Sequence, residues 1–213
     1  MRAIVLFSGG LDSTVALYWA RSRGWEVVAI EFEYHERPER ERRACTELHA
    51  QAGIADRIVV PVQFMREVVD LPAGELANAS LARAPEGYIP ARNLIFYSLS
   101  AYHAERLGAR YIVGGHTRSD CERFPDAGKA FWEQLNRILR IAIWSHAEIQ
   151  TEIVLPLIEM EKADVIRLGV ALGVPFGLTW SCYFNAGHPC GSCASCRERA
   201  ESFAAAALPD PLQ

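Results

Sequence analysis

The chain has 213 residues, 50% hydrophobic and 23% charged, a balance that suits one globular unit with its own core. Its formal net charge of −4 argues against a general nucleic-acid binder, and no apolar run approaches the roughly 20 residues that span a bilayer. The stretch before the first glycines is too short for a secretory signal and has no small-residue cleavage site, so the expected compartment is the cytoplasm.

"RAIVLF" (2–7) reads as a buried strand and "DSTVALYWARSRG" (12–24) as the helix after it, closed by Gly24. "EVVAIEFEY" (26–34) is a second strand. "PERERRACTELHAQAG" (38–53) is a helix with Pro38 near its first turn and Gly53 at its end. "DRIVVPV" (56–62) is a third strand. Residues 66–87 lose periodicity and carry Pro, Gly and Asn; so long a connection is either functional or a surface insertion. "ARNLIFYSLSAYHAERLG" (91–108) and "ARYIVGG" (109–115) repeat helix then strand. A helix over roughly 128–148, a strand in "TEIVLPL" (151–157) and a helix in "KADVIRLGVALG" (162–173) follow. The tail from residue 203 reads as a frayed helix end. Strands alternating with helices predict an α/β fold, a Rossmann-like parallel sheet with helices on both faces.

Two features carry chemistry. "SGGLDST" (8–14) joins the first strand to its helix. Gly9 and Gly10 allow close backbone approach and positive φ, free N–H groups at the helix start suit an anion, and Ser8, Ser13 and Thr14 add hydroxyls. Asp12 repels phosphate; it fits as a helix N-cap or as a partner of Mg²⁺. The spacing is neither a Walker A motif nor a dinucleotide fingerprint. The second feature is the run Cys182, Cys190, Cys193, Cys196, in which three of the cysteines stand at C-x-x-C-x-x-C spacing. Four thiolates suit a closed, structural Zn²⁺ site. An iron–sulfur cluster or a redox disulfide system are the competing readings. Arg197 and Arg199 are placed to moderate the thiolate charge, and Cys45 and Cys121 stand apart.

The S-G-G-x-D-S string resembles the pyrophosphate loop of the ATP-pyrophosphatase superfamily, whose members cut ATP between its α and β phosphates. Together with T-W-S-C-Y…P-C-G-x-C-x-S-C it resembles the 7-cyano-7-deazaguanine synthase family. "FEYHER" (32–37), "YIPARN" (88–93), "DCERFPD" (120–126) and "PLIEMEKADVIRLG" (156–169) resemble further motifs of that family, in order. The resemblance implies an adenine-nucleotide-hydrolase-like α/β domain over 1–176 and a small zinc-binding segment over 177–203. It implies ATP contacts at Phe7, Ser8, Gly9, Gly10, Leu11, Asp12, Ser13, Thr14, Val15, Ala16 and Leu17, and catalytic roles for Asp12, Arg92 and Lys162. Substrate contacts would come from Tyr34, Arg37, Asp120, Phe124 and Asp126, and metal ligation from Cys182, Cys190, Cys193 and Cys196. It further implies structural Zn²⁺, Mg²⁺ with ATP, 7-carboxy-7-deazaguanine or a related acid, ammonia and a homodimer, with no stable nucleic acid and no membrane. A surface ion pair competes for Arg92, an exposed helix lysine for Lys162, N-capping of the next helix for Asp126, and packing for Phe124 and Trp180. The departures from the family pattern are His35, Glu36, Pro38, Ala91, Arg123 and Ala127. They admit a paralogue that passes an adenylated acid to another acceptor. Two further readings compete: a tRNA-modifying sulfur transferase that uses the same loop with a redox-active cysteine pair, and a zinc-stabilised interaction protein with a degenerate nucleotide site, which the intact SGGLDST argues against.

Overall fold

The computed structural model describes residues 1–34, 37–71, 78–85, 87–184 and 187–212. Strands β1 (Arg2–Leu6), β2 (Glu26–Glu33), β3 (Asp56–Pro61), β4 (Tyr111–Val113) and β5 (Glu152–Val154) form one sheet in the order β3-β2-β1-β4-β5. Every neighbouring pair is parallel. Helices α1 (Leu11–Ser22), α2 (Glu39–Gln51), α7 (Lys162–Ala171) and α8 (Ala194–Ala205) pack on one face. Helices α3 (Arg92–Leu107) and α5 (Lys129–Ala142) pack on the other. Short helices α4 (Arg118–Arg123) and α6 (His146–Ile149) flank α5.

The central strand explains the two-faced core. Ala3 and Val5 of β1 join Val15, Leu48, Val165 and Ile166 on one side, while Ile4 joins Tyr97, Ala101 and Leu135 on the other. A parallel strand covered on both faces needs an unbroken apolar run, which "AIVLF" supplies. Strand order reverses between β1 and β4, so the crevice at their carboxyl ends is where an open α/β sheet takes a ligand. Among the described residues no helix is long and apolar enough to cross a membrane.

Several expectations need correcting. The helix expected over 128–148 breaks at Ile143, which adopts extended backbone (φ −85°, ψ 120°) and turns its side chain into the core. The following Ser145 N–H donates to Glu105 Oε1 at 3.1 Å, which holds the break. The tail is docked rather than frayed: Phe203 and Ala206 are core residues, and Asp210 accepts two hydrogen bonds from Arg199, each at 2.9 Å. Gly10 is the N-cap of α1 with φ −75°, so only Gly9 (φ +82°) needs the left-handed region, and Asp12 lies inside the first turn instead of capping it. Within 66–87, short 3-10 turns form at Val68–Asp70 and Ala79–Arg83; residues 72–77 and 86 lie outside the described residues.

Candidate active site

The loop after β1 has its carbonyls fastened behind it. Ser8 C=O accepts from Arg37 Nη2 at 2.8 Å, and Gly9 C=O accepts from the main-chain N–H of Trp180 at 3.0 Å. Gly10 C=O accepts from Thr14 Oγ1 at 2.6 Å, Ser13 Oγ at 3.2 Å and Thr14 N–H at 3.1 Å. With three successive carbonyls turned into the protein, the N–H groups at the start of α1 face the crevice, as an anion site requires. Ser8 and Ser13 hydroxyls lie 3.1 Å apart at its mouth. A Cβ on Gly9 would stand 2.7 Å from the Cys45 main-chain nitrogen of α2, so close approach as well as φ demands glycine there. Phe7, Leu11, Val15, Ala16 and Leu17 are buried in the core beneath the loop, which they support from below.

Asp12 and Lys162 meet at the loop's edge. Lys162 Nζ donates to Asp12 Oδ2 at 2.5 Å and lies 4.0 Å from Glu198 Oε2 of α8. Burial disfavours the Lys162 charge, but Asp12 and then Glu198 outweigh it, and its pKa is raised. Burial pushes the Asp12 carboxyl up, and Lys162 only partly offsets this. The reason is visible: Asp12 Oδ1 is buried with no partner. An unpartnered carboxylate oxygen beside a phosphate cradle fits a hard cation such as Mg²⁺. The Asp12 backbone is itself met by Gly115 after β4, where a Cβ would come within 2.8 Å of the Asp12 carbonyl carbon.

The loops after β4 and before α3 form the other wall. Arg92 sits over the Phe124 ring at 5.6 Å and Arg123 over the same ring at 5.2 Å, with Tyr88 nearly parallel to it at 6.4 Å. Asp126 Oδ2 accepts the Asn93 N–H at 2.9 Å, so this carboxylate caps α3, not the helix that follows it. Asp120 Oδ2 accepts from Thr117 N–H at 2.8 Å and Thr117 Oγ1 at 2.9 Å, closing a capping box on α4. Tyr34 is held protonated by burial first and by Glu41 second. Arg37 departs from its expected substrate role. It is buried, its Nε donates to Glu41 and its Nη1 to Glu33, Glu31 lies 3.6 Å away, and its remaining nitrogen holds Ser8. It positions the loop.

The four cysteines converge. Their sulfurs all lie within 4.8 Å of one another. Cys190 N–H donates to Cys182 Sγ at 3.4 Å, Cys193 N–H to Cys190 Sγ at 3.3 Å, and Cys196 N–H to Cys193 Sγ at 3.4 Å. Amide donors to sulfur stabilise thiolates: N–H groups of Cys193 and Ser192 draw the Cys190 thiol down to about 6. Burial, and then the neighbouring Cys193 thiol, push Cys196 up to about 12. Four soft sulfur donors gathered this closely fit a bound metal cation. Arg197 reaches back to the Ser192 carbonyl. Arg199 turns away to Asp210, Thr179 Oγ1 and Phe176 C=O, and does not offset the thiolate charge as expected.

Comparison with known proteins decides the family. The family described as queuosine biosynthesis protein QueC matches residues 2–207. The chain belongs to the QueC family. A QueC relative from Nostoc sp., a 7-cyano-7-deazaguanine synthase, is 36% identical over 221 residues, covering 100% of this chain and 96% of its own. Among solved structures, NMN synthetase from Francisella tularensis superposes with a TM-score of 0.54 at 17% identity, covering 98% of this chain and 78% of that one. The U34-tRNA thiolase NcsA from Methanococcus maripaludis, solved with its 4Fe–4S cluster, gives a TM-score of 0.51 at 16% identity, covering 95% and 63%. At such identities these two speak to the fold alone.

Of the departures from the QueC pattern, His35 and Glu36 lie outside the described residues. Pro38 is the N-cap of α2, and its carbonyl accepts from Glu41 and Arg42. Ala91 stands at φ +53°, the left-handed region where the family pattern has glycine. Ala127 is buried, and its carbonyl accepts the Trp132 indole N–H at 2.7 Å. Sequence reasoning missed Gly115, Glu198 and the main chain of Trp180. Only the paired glycines of "YIVGGHT" carried a signal for the first; Glu198 meets Lys162 across two helices, and Trp180 meets Gly9 from the far end of the sequence.

Proposed function

We propose that this chain is a 7-cyano-7-deazaguanine synthase. It converts 7-carboxy-7-deazaguanine and ammonia into the nitrile, splitting ATP into AMP and pyrophosphate, for queuosine- or archaeosine-type deazapurine synthesis. The observation that carries this reading is the full-length likeness to a synthase combined with an intact phosphate loop, its carbonyls withdrawn and its Asp12–Lys162 pair at the edge. Carboxylate oxygen attacks the α-phosphorus and pyrophosphate departs into the loop of Ser8–Thr14. Ammonia displaces AMP from the acyl carbon to give the amide. The amide oxygen attacks the α-phosphorus of a second ATP and releases a second pyrophosphate; loss of AMP and of the two amide N–H protons leaves the nitrile. The protein's part is to hold reactants in line and stabilise phosphate charge. Lys162 is suited to the pentavalent phosphorus, and Arg92 to the substrate carboxylate beside Phe124. Asp120 and Asp126 contribute by fixing α4 and α3 at the pocket wall. Mg²⁺ accompanying ATP would neutralise phosphate charge, and Asp12 Oδ1 is the atom suited to hold it.

Residues 177–203 are read as a zinc-binding segment, structural because four thiolates leave no open position. Cysteines gathered as a metal site instead of as disulfides fit a reducing cytoplasm. A second copy of the chain is the partner proposed for the end of α5 and the turn after it, where Ile138 and Ile141 of the helix and Trp144 of the turn are exposed. The deciding experiment supplies Mg·ATP, ammonium and 7-carboxy-7-deazaguanine and follows products by mass spectrometry. Nitrile with AMP and pyrophosphate is the expected result. An amide or a protein-linked deazapurine as the end point would instead assign a paralogue, the reading that Arg123 over Phe124 favours. No AMP with this acid would overturn the assignment.

A further inference from the structure

The thiol centre and the phosphate loop touch. Trp180 lies two residues before Cys182, and its main-chain N–H holds the Gly9 carbonyl at 3.0 Å. Its own indole N–H donates to the Cys182 carbonyl at 2.9 Å. Its ring is buried with Cys182, Cys196 and Ala44 of α2, under the Arg40 guanidinium at 5.1 Å. Ala44 precedes Cys45, whose amide nitrogen is the atom that fits against Gly9. A second route runs through α8: Cys193 caps it, Cys196 lies in its first turn, and Glu198 reaches Lys162, the partner of Asp12. Both routes end on the loop that faces the anion.

We propose that Trp180 is a positioning residue for the ATP reaction, a strap that makes metal occupancy of the four thiols and phosphate binding at Ser8–Thr14 mutually reinforcing. The inference rests on the ATP reading of that loop. A metal that draws Cys182 and Cys196 together fixes the Trp180 ring between them, and this fixes the peptide that turns Gly9. Without it, the Gly9 carbonyl loses its donor and the adjoining N–H groups lose their alignment. Such linkage is reciprocal: the anion that orders the loop also holds the strap, and with it the metal.

The test uses magnesium pyrophosphate as the probe on the metal-loaded chain and on the chain stripped by a soft-nitrogen chelator that spares magnesium. Calorimetry is expected to show about a tenfold weaker Kd after stripping, within the usual range of coupling between sites. In the loaded wild-type protein, saturating magnesium pyrophosphate is expected to slow metal transfer to the chelator by a similar factor, a measurement that needs no variant and no stripped protein. Trp180→Ala, which keeps the main-chain donor but loses the ring that fixes it, is expected to raise the KM for ATP more than it lowers kcat and to speed metal release; Trp180→Phe, which keeps a buried ring, restores both. An unchanged Kd in a stripped chain with intact circular dichroism, or metal release indifferent to pyrophosphate, overturns the linkage and leaves the ATP reading standing. A loaded wild-type chain that binds no magnesium pyrophosphate overturns the ATP reading and the linkage with it.

Discussion

Ala91 stands with φ +53° at the start of α3, where a Cβ crowds the neighbouring carbonyl. Replacing it with glycine removes that strain and returns part of the gain as chain entropy, for a net stabilisation of about 0.5–1 kcal/mol. A rise in the urea midpoint of Ala91→Gly at unchanged slope checks this. His116 gives a pH signature. Burial lowers its pKa from 6.5 to about 4, despite Asp120 nearby. Between those values the unfolded chain binds a proton that the folded chain does not, so stability falls as pH drops from 6.5 toward 4. His116→Asn flattens this part of the stability curve, read from denaturant midpoints across the window; an unaltered slope would remove the residue from the account. At this scale the candidate site was legible where chemistry is local. Gly9, Asp12 and the cysteine spacing announce themselves within a dozen residues. Arg37 could not be read so: its fate is decided by Glu31, Glu33, Glu41 and the Ser8 carbonyl, and only folding brings these to one point.

Edge strands show what elements require of each other. β5 is three residues long and pairs only with β4, leaving its outer polar groups without a strand. Asn136 of α5 supplies the pairing: its Oδ1 accepts the Ile153 N–H at 2.7 Å and its Nδ2 donates to the Ile153 carbonyl at 3.2 Å. Asn136→Ala leaves both unsatisfied and is expected to cost about 1–3 kcal/mol, measured by denaturant unfolding. Removing the metal acts on a different element. Hydrogen exchange is expected to lose protection over 179–200 while β1 and β4 keep theirs, because the thiol centre organises the start of α8 and the sheet has its own core. The alternation of strand and helix was readable from periodicity, since β1 and β2 are covered on both faces. The break after α5 was not. Its apolar residues continue in helical register through Trp144, and only the need to bury Ile143 against the sheet, with Ser145 held by Glu105, ends the helix early.

For the whole molecule, Ile141 near the end of α5 is 87% exposed and Trp144, just past the break, is 96% exposed. If two copies pair there, Trp144→Glu turns a dimer into a monomer by light scattering, with the fold intact; a wild-type monomer would refute the pairing. The contacts that complete the phosphate loop set a schedule for biosynthesis. Gly9 and Asp12 are synthesised some 150 residues or more before Lys162, Trp180 and Glu198, to which they are tied directly or through Lys162. A nascent chain can close β1 through β4 into a sheet long before its ATP site exists. Half-made protein would therefore spend no nucleotide.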